Sequence, residues 1–125
     1  MKDFDREFRK ELTKIAHNTV VNDLGRNASS CRFLNGGFFE HDDGTITATA
    51  EIYFFTVNLN DVGDVTDIRW DAKFTTAPAA TEKDAREALI RGIVSPSNWK
   101  FKKVKTEHDA IYRNRYASDW LEQKY

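Results

Sequence analysis

Residues 45–58 read TITATAEIYFFTVN, and this stretch decides the fold. From Ile46 onward, apolar or small residues alternate with threonine or glutamate, which is the period of two of a β-strand with one buried face. In the second half of the stretch Tyr53, Phe55 and Val57 make the other face apolar as well. The pattern therefore predicts a central strand whose far half is covered on both sides.

The size and charge of the chain fit one domain over residues 1–125, long enough to bury a core without disulfides or metals. The net charge of −1 hides an asymmetry between two regions. Residues 40–71 contain eight carboxylates and a single arginine, for a net charge of −7, whereas residues 96–125 carry +3. The near-neutral total argues against bulk binding of nucleic acid or membrane and leaves local patches open.

The cellular compartment is predicted from three features. Cys31 is the only cysteine, so no internal disulfide can form. The first residues are charged and lack the apolar region of a signal peptide, and no apolar run is long enough to span a membrane. We therefore expect a cytoplasmic protein without membrane contact.

Periodicity and turn residues predict the remaining elements of an α+β fold, an antiparallel three- to four-stranded sheet packed by helices in the order α-β-β-β-α-β-α. The predicted elements are a helix over 3–24, a strand over 31–40, a turn at 41–44, a strand over 65–76, a helix over 81–93, an edge strand over 99–105 and a helix from Thr106 onward. Residues 35–37, Asn-Gly-Gly, predict either a tight hairpin turn or a bulge or bend within one strand, and the short arms of such a hairpin favour the bulge or bend. The first two helices are expected to cover the face that holds Ile52, Phe54, Trp70 and Phe74.

Two further expectations concern the central strand. Its length predicts strong twist or a bulge near Ala50. Its second apolar face requires a cover, which is either the last helix, with its aromatic residues Tyr112, Tyr116 and Trp120, or a second subunit.

Residues 99–105 interleave aromatic and basic residues, a combination that suits nucleic-acid binding. The candidate nucleic-acid residues are Lys100, Lys102, Lys103, Lys105 and Arg113. The competing interpretation is an edge strand whose aromatic residues point inward while its lysines discourage pairing with another chain. Alternation of Trp99 and Phe101 with the lysines favours the edge strand.

The order of helix, three strands and helix over residues 4–93 is similar to that of the double-stranded-RNA-binding domain. Residues 81–86, TEKDAR, resemble the basic start of the second helix in that family. Glu82 and Asp84 stand between the basic residues here, and the turn at 41–44 is acidic. The resemblance is one of topology, and a topology does not fix a function.

Catalytic and metal-binding patterns are weak. Glu40, His41, Asp42 and Asp43 are consecutive, but neighbouring residues of an extended strand point in opposite directions, so a solvated turn is favoured over a metal site. Nothing local activates Cys31, and no nucleophile or nucleotide-binding motif is present. We predict no enzyme activity, no cofactor and no metal.

The leading functional hypothesis is a small non-enzymatic protein that binds another protein, or a second copy of itself, through its acidic hairpin region. The residues proposed for this interaction are Asp42, Asp43, Asp61, Asp64, Asp67, Tyr53 and Phe55. A nucleic-acid-binding module that uses residues 100–105 is the alternative. A third hypothesis is a small-molecule pocket between the sheet and the helices, lined by Trp70, Tyr53 and Phe55.

Overall fold

Five strands and two α-helices make up the described part of the chain. The computed structural model describes residues 1–25, 28–59 and 65–104, with the backbone alone for residues 57–59, 65–67 and 103–104. The elements are β1 (Lys2–Asp3), α1 (Arg6–Asn18), a π-helical turn (Thr19–Asp23), β2 (Arg32–Glu40), β3 (Ile46–Leu59), β4 (Val65–Thr75), α2 (Glu82–Val94), a 3₁₀ turn (Pro96–Asn98) and β5 (Lys102–Val104). The helix predicted from Thr106 onward lies outside the described residues.

The strands form one antiparallel sheet in the order β1-β2-β3-β4-β5. The α+β class and the antiparallel sheet packed by helices are therefore confirmed. The additional strand is β1, whose two residues pair with Phe38 and Gly37 of β2. A Cβ atom at Gly37 would lie 2.3 Å from the carbonyl oxygen of Lys2, so this close pairing requires glycine.

The sheet irregularity lies in β2. The register between β3 and β4 continues without a shift, so of the two alternatives for β3, strong twist or a bulge near Ala50–Glu51, the bulge does not occur in this pairing. The register shift instead falls between Phe33 and Asn35, opposite Glu51 and Ile52, and it bends β2. The predicted irregularity in the strand before the Asp-Gly turn is confirmed. It lies between Phe33 and Asn35, slightly before the predicted position at residues 35–37.

The first helix is shorter than predicted from its apolar stripe. It begins after Asp5, whose carboxylate accepts the backbone N–H of Phe8 at 2.8 Å and caps the first turn. Its regular part ends at Asn18, where the π-helical turn follows. There the Thr19 hydroxyl donates to the Ile15 carbonyl at 3.0 Å, a bond that competes with regular helix geometry.

The second helix begins where the sequence predicts. Its N-cap Thr81 accepts the backbone N–H of Asp84 at 3.1 Å, and Ala85, Leu89 and Ile93 are buried. Among the described residues, no helix is long and apolar enough to span a membrane.

Both helices pack on one face of the sheet, as predicted, and the buried core lies between the helices and that face of the sheet. The core from the helices consists of Phe8, Leu12, Ala16, Ala85, Leu89 and Ile93, and the core from the strands consists of Phe38, Ala48, Ala50, Ile52, Phe54, Ala72 and Phe74. We call this side of the sheet the helix face and the opposite side the far face.

The edge strand is shorter than predicted. It begins at Lys102 rather than at Trp99, because the chain turns inward before it. The Trp99 indole Nε1 donates to the Ile93 carbonyl at 2.7 Å, and its ring lies edge-on to Phe74 with centroids 4.8 Å apart. These contacts draw Trp99 under the end of α2 and away from the sheet edge.

Candidate interaction surface

The turn between β2 and β3 is tightly ordered. His41 and Thr45 are joined by a backbone hydrogen bond of 2.8 Å, and the Gly44 N–H donates to the His41 carbonyl at 2.9 Å. Gly44 has a φ of +85°, which the predicted Asp-Gly turn requires. The Asp43 carboxylate closes the turn by accepting the N–H and the hydroxyl of Thr45 at 3.0 and 2.6 Å.

These hydrogen bonds keep the turn negatively charged. The hydroxyl and then the backbone N–H of Thr45 lower the pKa of Asp43 below its ordinary value. Glu40, Asp42 and Asp43 are all exposed. We call these three residues the acidic tip.

An aromatic ring stands next to the acidic tip. Phe39 is 52% exposed, although its neighbour Phe38 is buried at 4%, because successive side chains of a strand point to opposite faces. The Phe39 ring contacts the imidazole of His41 edge-on with centroids 5.0 Å apart. The His41 Nε2 in turn lies 2.7 Å from the Thr47 hydroxyl. The exposed Phe39 ring thus contacts His41, which is itself held by its hydrogen bond with Thr47.

A second cluster of candidate residues lies on the far face, further along β3. Tyr53 and Phe55 are half-buried there, with ring centroids 6.0 Å apart. The Arg69 guanidinium lies over the Tyr53 ring at 4.4 Å and pairs with Asp71 at 2.8 Å. The cluster combines aromatic and charged groups, and its ion pair is local to β4.

The predicted interaction residues that the structure describes with their side chains do not form one surface. Thr47, beside the acidic tip, and Tyr53 are separated by six positions of β3, or about 20 Å at ~3.3 Å per residue. Asp42 and Asp43 therefore belong to one region, and Tyr53 with Phe55 to another. Asp61 and Asp64 lie outside the described residues, and only the backbone of Asp67 is described.

The predicted basic strand separates its aromatic residues from its lysines. Lys100 and Lys102 are exposed, whereas Trp99 is 7% exposed and Phe101 packs against Trp99 and Trp70. Base stacking requires an accessible ring beside the cations, so this arrangement favours the edge-strand interpretation. Lys103 is described by its backbone alone, and Lys105 and Arg113 lie outside the described residues.

The predicted small-molecule pocket is not formed by the residues named for it. Trp70 is paired with Phe54, while Tyr53 is paired with Asp71, so Trp70 and Tyr53 lie on opposite faces of the sheet. On the helix face the Trp70 indole donates to the Thr56 hydroxyl at 2.9 Å. Two open grooves of about 520 Å³ each lie elsewhere, one along the first turns of α1 and one between the end of β4 and α2.

Cys31 lies in the core region at 6% exposure, and burial raises the pKa of its thiol to about 12. The thiol therefore remains protonated at neutral pH, which removes its nucleophilic form. Within the described ranges, no group of three or more histidine, cysteine, aspartate or glutamate residues is arranged to hold a metal ion.

Two contributors to these surfaces were missing from the sequence-based candidates. Phe39 was assigned only to a strand, although alternation with Phe38 could have placed it on the solvent side. Lys73 lines the groove beside β4 together with Lys100. Lys73 lies beside this groove because β5 begins only at Lys102, which no local pattern encodes.

No known protein family, curated protein or solved structure matches the chain. The similarity to the double-stranded-RNA-binding domain therefore remains one of element order.

Proposed function

We propose that this protein is a non-enzymatic interaction module that binds a basic surface of another protein through the acidic tip and Phe39. The observation that carries the proposal is the exposed Phe39 ring directly beside three exposed carboxylates. Aromatic side chains supply much of the apolar contact in protein interfaces, and clustered charges of one sign steer a partner of the opposite sign.

The order of the turn supports this function energetically. Binding costs free energy when loops and side chains must be immobilised. Here the Asp43 carboxylate already holds Thr45, and His41 already contacts Phe39 and Thr47. A partner would meet a surface that requires little further ordering.

The chemistry of the acidic tip also selects its partner. Carboxylates repel the phosphates of nucleic acids, whose binding depends on lysine and arginine. Neither Glu40 nor Asp42 has an ion-pair partner among the described residues, so both are available to cations of another protein. A basic protein surface with an apolar recess fits this region.

Fluorescence anisotropy with a labelled peptide of alternating lysine and leucine tests the proposal. The variant Glu40→Lys/Asp42→Lys leaves the turn-forming Asp43 intact and is expected to weaken binding by about tenfold or more. Phe39→Ala is expected to weaken binding severalfold while leaving its salt dependence unchanged. The control Glu11→Lys/Glu87→Lys makes the same change in charge on exposed helix positions and should alter affinity less than about twofold.

Two results would overturn the proposal. Equal losses for the tip variant and the helix control would show that binding follows net charge alone. If the Phe39→Ala variant bound the peptide with wild-type affinity, the Phe39 ring would not contribute to binding. Circular dichroism of each variant shows whether the fold is retained.

A further inference from the structure

Strand β4 extends beyond its partner β5. The pairing of the two strands ends at Asp71 and Lys102. From Ala72 to Thr75, β4 is bonded to β3 on one side, and no other strand of the described chain lies along its second side. Within residues 1–25, 28–59 and 65–104, this segment is a sheet edge that has no paired strand.

The direction of the free backbone groups follows from the hydrogen bonds to β3. The Thr76 N–H donates to the Ala48 carbonyl at 2.9 Å, and the Phe74 carbonyl accepts the Thr49 hydroxyl at 3.1 Å. Because N–H and C=O groups alternate between the two sides of a strand, those of Lys73 and Thr75 point to the free edge. Such an edge is a template for an added strand.

A groove of about 520 Å³ lies beside this edge, and we call it the edge groove. Its polar lining consists of Lys73, Thr75, Thr76, Ser97, Asn98 and Lys100, and its apolar lining includes Phe74, Ala88 and Leu89. The far wall is fixed, since the Asn98 amide donates to the Gly92 carbonyl at 3.2 Å and Trp99 is bonded to Ile93. The edge groove therefore has a preformed shape.

The edge groove is positively charged. Lys73 and Lys100 are exposed, and none of the residues that line the groove is acidic. Glu51 is the residue directly opposite Lys73 on β3, and no ion pair within 4.0 Å joins them in the described structure. Both lysines are thus available to a negatively charged ligand.

We propose that the edge groove binds an extended acidic segment of another protein, which adds to β4 as a sixth strand. The free N–H and C=O groups of Lys73 and Thr75 pair with the backbone of that segment. Its carboxylates face Lys73 and Lys100, as opposite charges do across paired strands. Alternate, small apolar side chains of the segment face Ala88 and the side-chain-free surface of Gly92.

Two other occupants fit the groove less well. A second copy of β4 would place Lys73 near another Lys73, and like charges opposite each other disfavour pairing. A single-stranded nucleic acid could contact the lysines, but its bases would have no accessible aromatic ring to stack on, because Trp99 is buried. The combination of a free backbone edge with two lysines favours an acidic peptide.

The inference is independent of the acidic tip and is tested on the whole chain with a labelled peptide of alternating valine and glutamate. The variant Lys73→Glu/Lys100→Glu is expected to weaken binding by about tenfold or more. The control Lys14→Glu/Lys83→Glu makes the same change in charge at exposed helix positions and should change affinity less than about twofold. Equal losses in the two variants would overturn the proposal.

A peptide with N-methylated alternate amides separates strand addition from simple charge attraction. It keeps its carboxylates but loses the N–H groups that β4 needs, so its binding should fall to the detection limit. Unchanged binding of the methylated peptide would exclude strand addition. Binding of oligothymidylate in place of the peptide would assign the lysines to nucleic acid instead.

The variant Gly92→Leu tests the groove itself. A Cβ atom at Gly92 would have the Asn98 amide nitrogen as its nearest neighbour at 4.0 Å, so the fold has room for a larger residue. Leucine favours the helix but fills the groove, so we expect a higher melting temperature together with at least about tenfold weaker peptide binding. Wild-type affinity in a folded Gly92→Leu protein would place the peptide elsewhere.

Discussion

Phe38 and Phe39 are consecutive residues of β2, yet they belong to two different environments. The Phe38 ring is buried on the helix face, 4.8 Å from the ring of Phe4, with the Arg86 guanidinium 5.5 Å from its centroid. The Phe39 ring is half exposed on the far face and contacts only the hairpin residue His41 among the described aromatic rings. A phenylalanine side chain thus packs in the core at position 38 and lies at the surface at position 39.

The difference between Phe38 and Phe39 shows that one face of the sheet stabilises the fold while the other is available for binding. Two helices on one face give β2, β3 and β4 a complete apolar core. The far face can therefore carry Thr47, Thr49, Glu51 and Lys73 without loss of that core. An aromatic ring on such a face contributes little to folding and is available for contact with another molecule.

Alanine substitution at the two phenylalanines tests the comparison most directly. Phe38→Ala is expected to lower the free energy of unfolding by about 3–5 kcal/mol, because it leaves a cavity between α1 and the sheet. Phe39→Ala should change it by about 0.5 kcal/mol or less. Urea unfolding followed by circular dichroism measures both values. Similar losses at the two positions would mean that Phe39 is also part of a core.

Valine substitutions at consecutive residues of β3 sharpen the same contrast with a smaller effect. Ala50 is completely buried against the helices, so Ala50→Val should overfill the core and cost about 1–3 kcal/mol. Glu51 lies on the far face, where Glu51→Val should change stability by about 0.5 kcal/mol or less. Scanning calorimetry compares the two variants. A large cost for Glu51→Val would show that the far face at this position is tightly covered.

The smallest expected effect concerns the cap that holds α1 in place. The Phe8 N–H, with a smaller contribution from Arg86, lowers the pKa of Asp5 below its ordinary value in the folded protein. The charged cap therefore stabilises the fold above the ordinary pKa of an aspartate, and this contribution is lost as pH falls through the lower pKa of the folded state. Asp5→Asn retains an acceptor without titrating, so its stability should decline less steeply in acid. Equal slopes in urea titrations of the two proteins would contradict the assignment.

The sequence predicts the regular parts of the fold well. Alternation in residues 46–54 identifies the two faces of β3, and Thr81 identifies the start of α2, because both signals are local. The two-residue strand β1 leaves no periodic signal, since it forms only where Gly37 lets Lys2 approach. Similarly, Trp99 fits the alternation of a β-strand in the sequence. In the structure its indole N–H donates to the Ile93 carbonyl, and Trp99 is not part of the edge strand β5.

The candidate surfaces were only partly predictable for the same reason. The acidic tip was visible because a charge run next to an Asp-Gly turn is a local feature. The edge groove depends on the relative lengths of β4 and β5 and on the end of α2, and β5 begins 27 positions after β4 ends. Long-range pairing therefore decides which lysines act together.

The strand order has a consequence for how the chain folds. In the described sheet, every strand pairs only with the strand before it and the strand after it in the chain. The β2–β3 hairpin closes through a turn of a few residues, so it can form before β4 has left the ribosome. Short loop closures of this kind favour rapid folding. The sheet can grow in the direction of synthesis, and each new strand covers the edge left by the previous one.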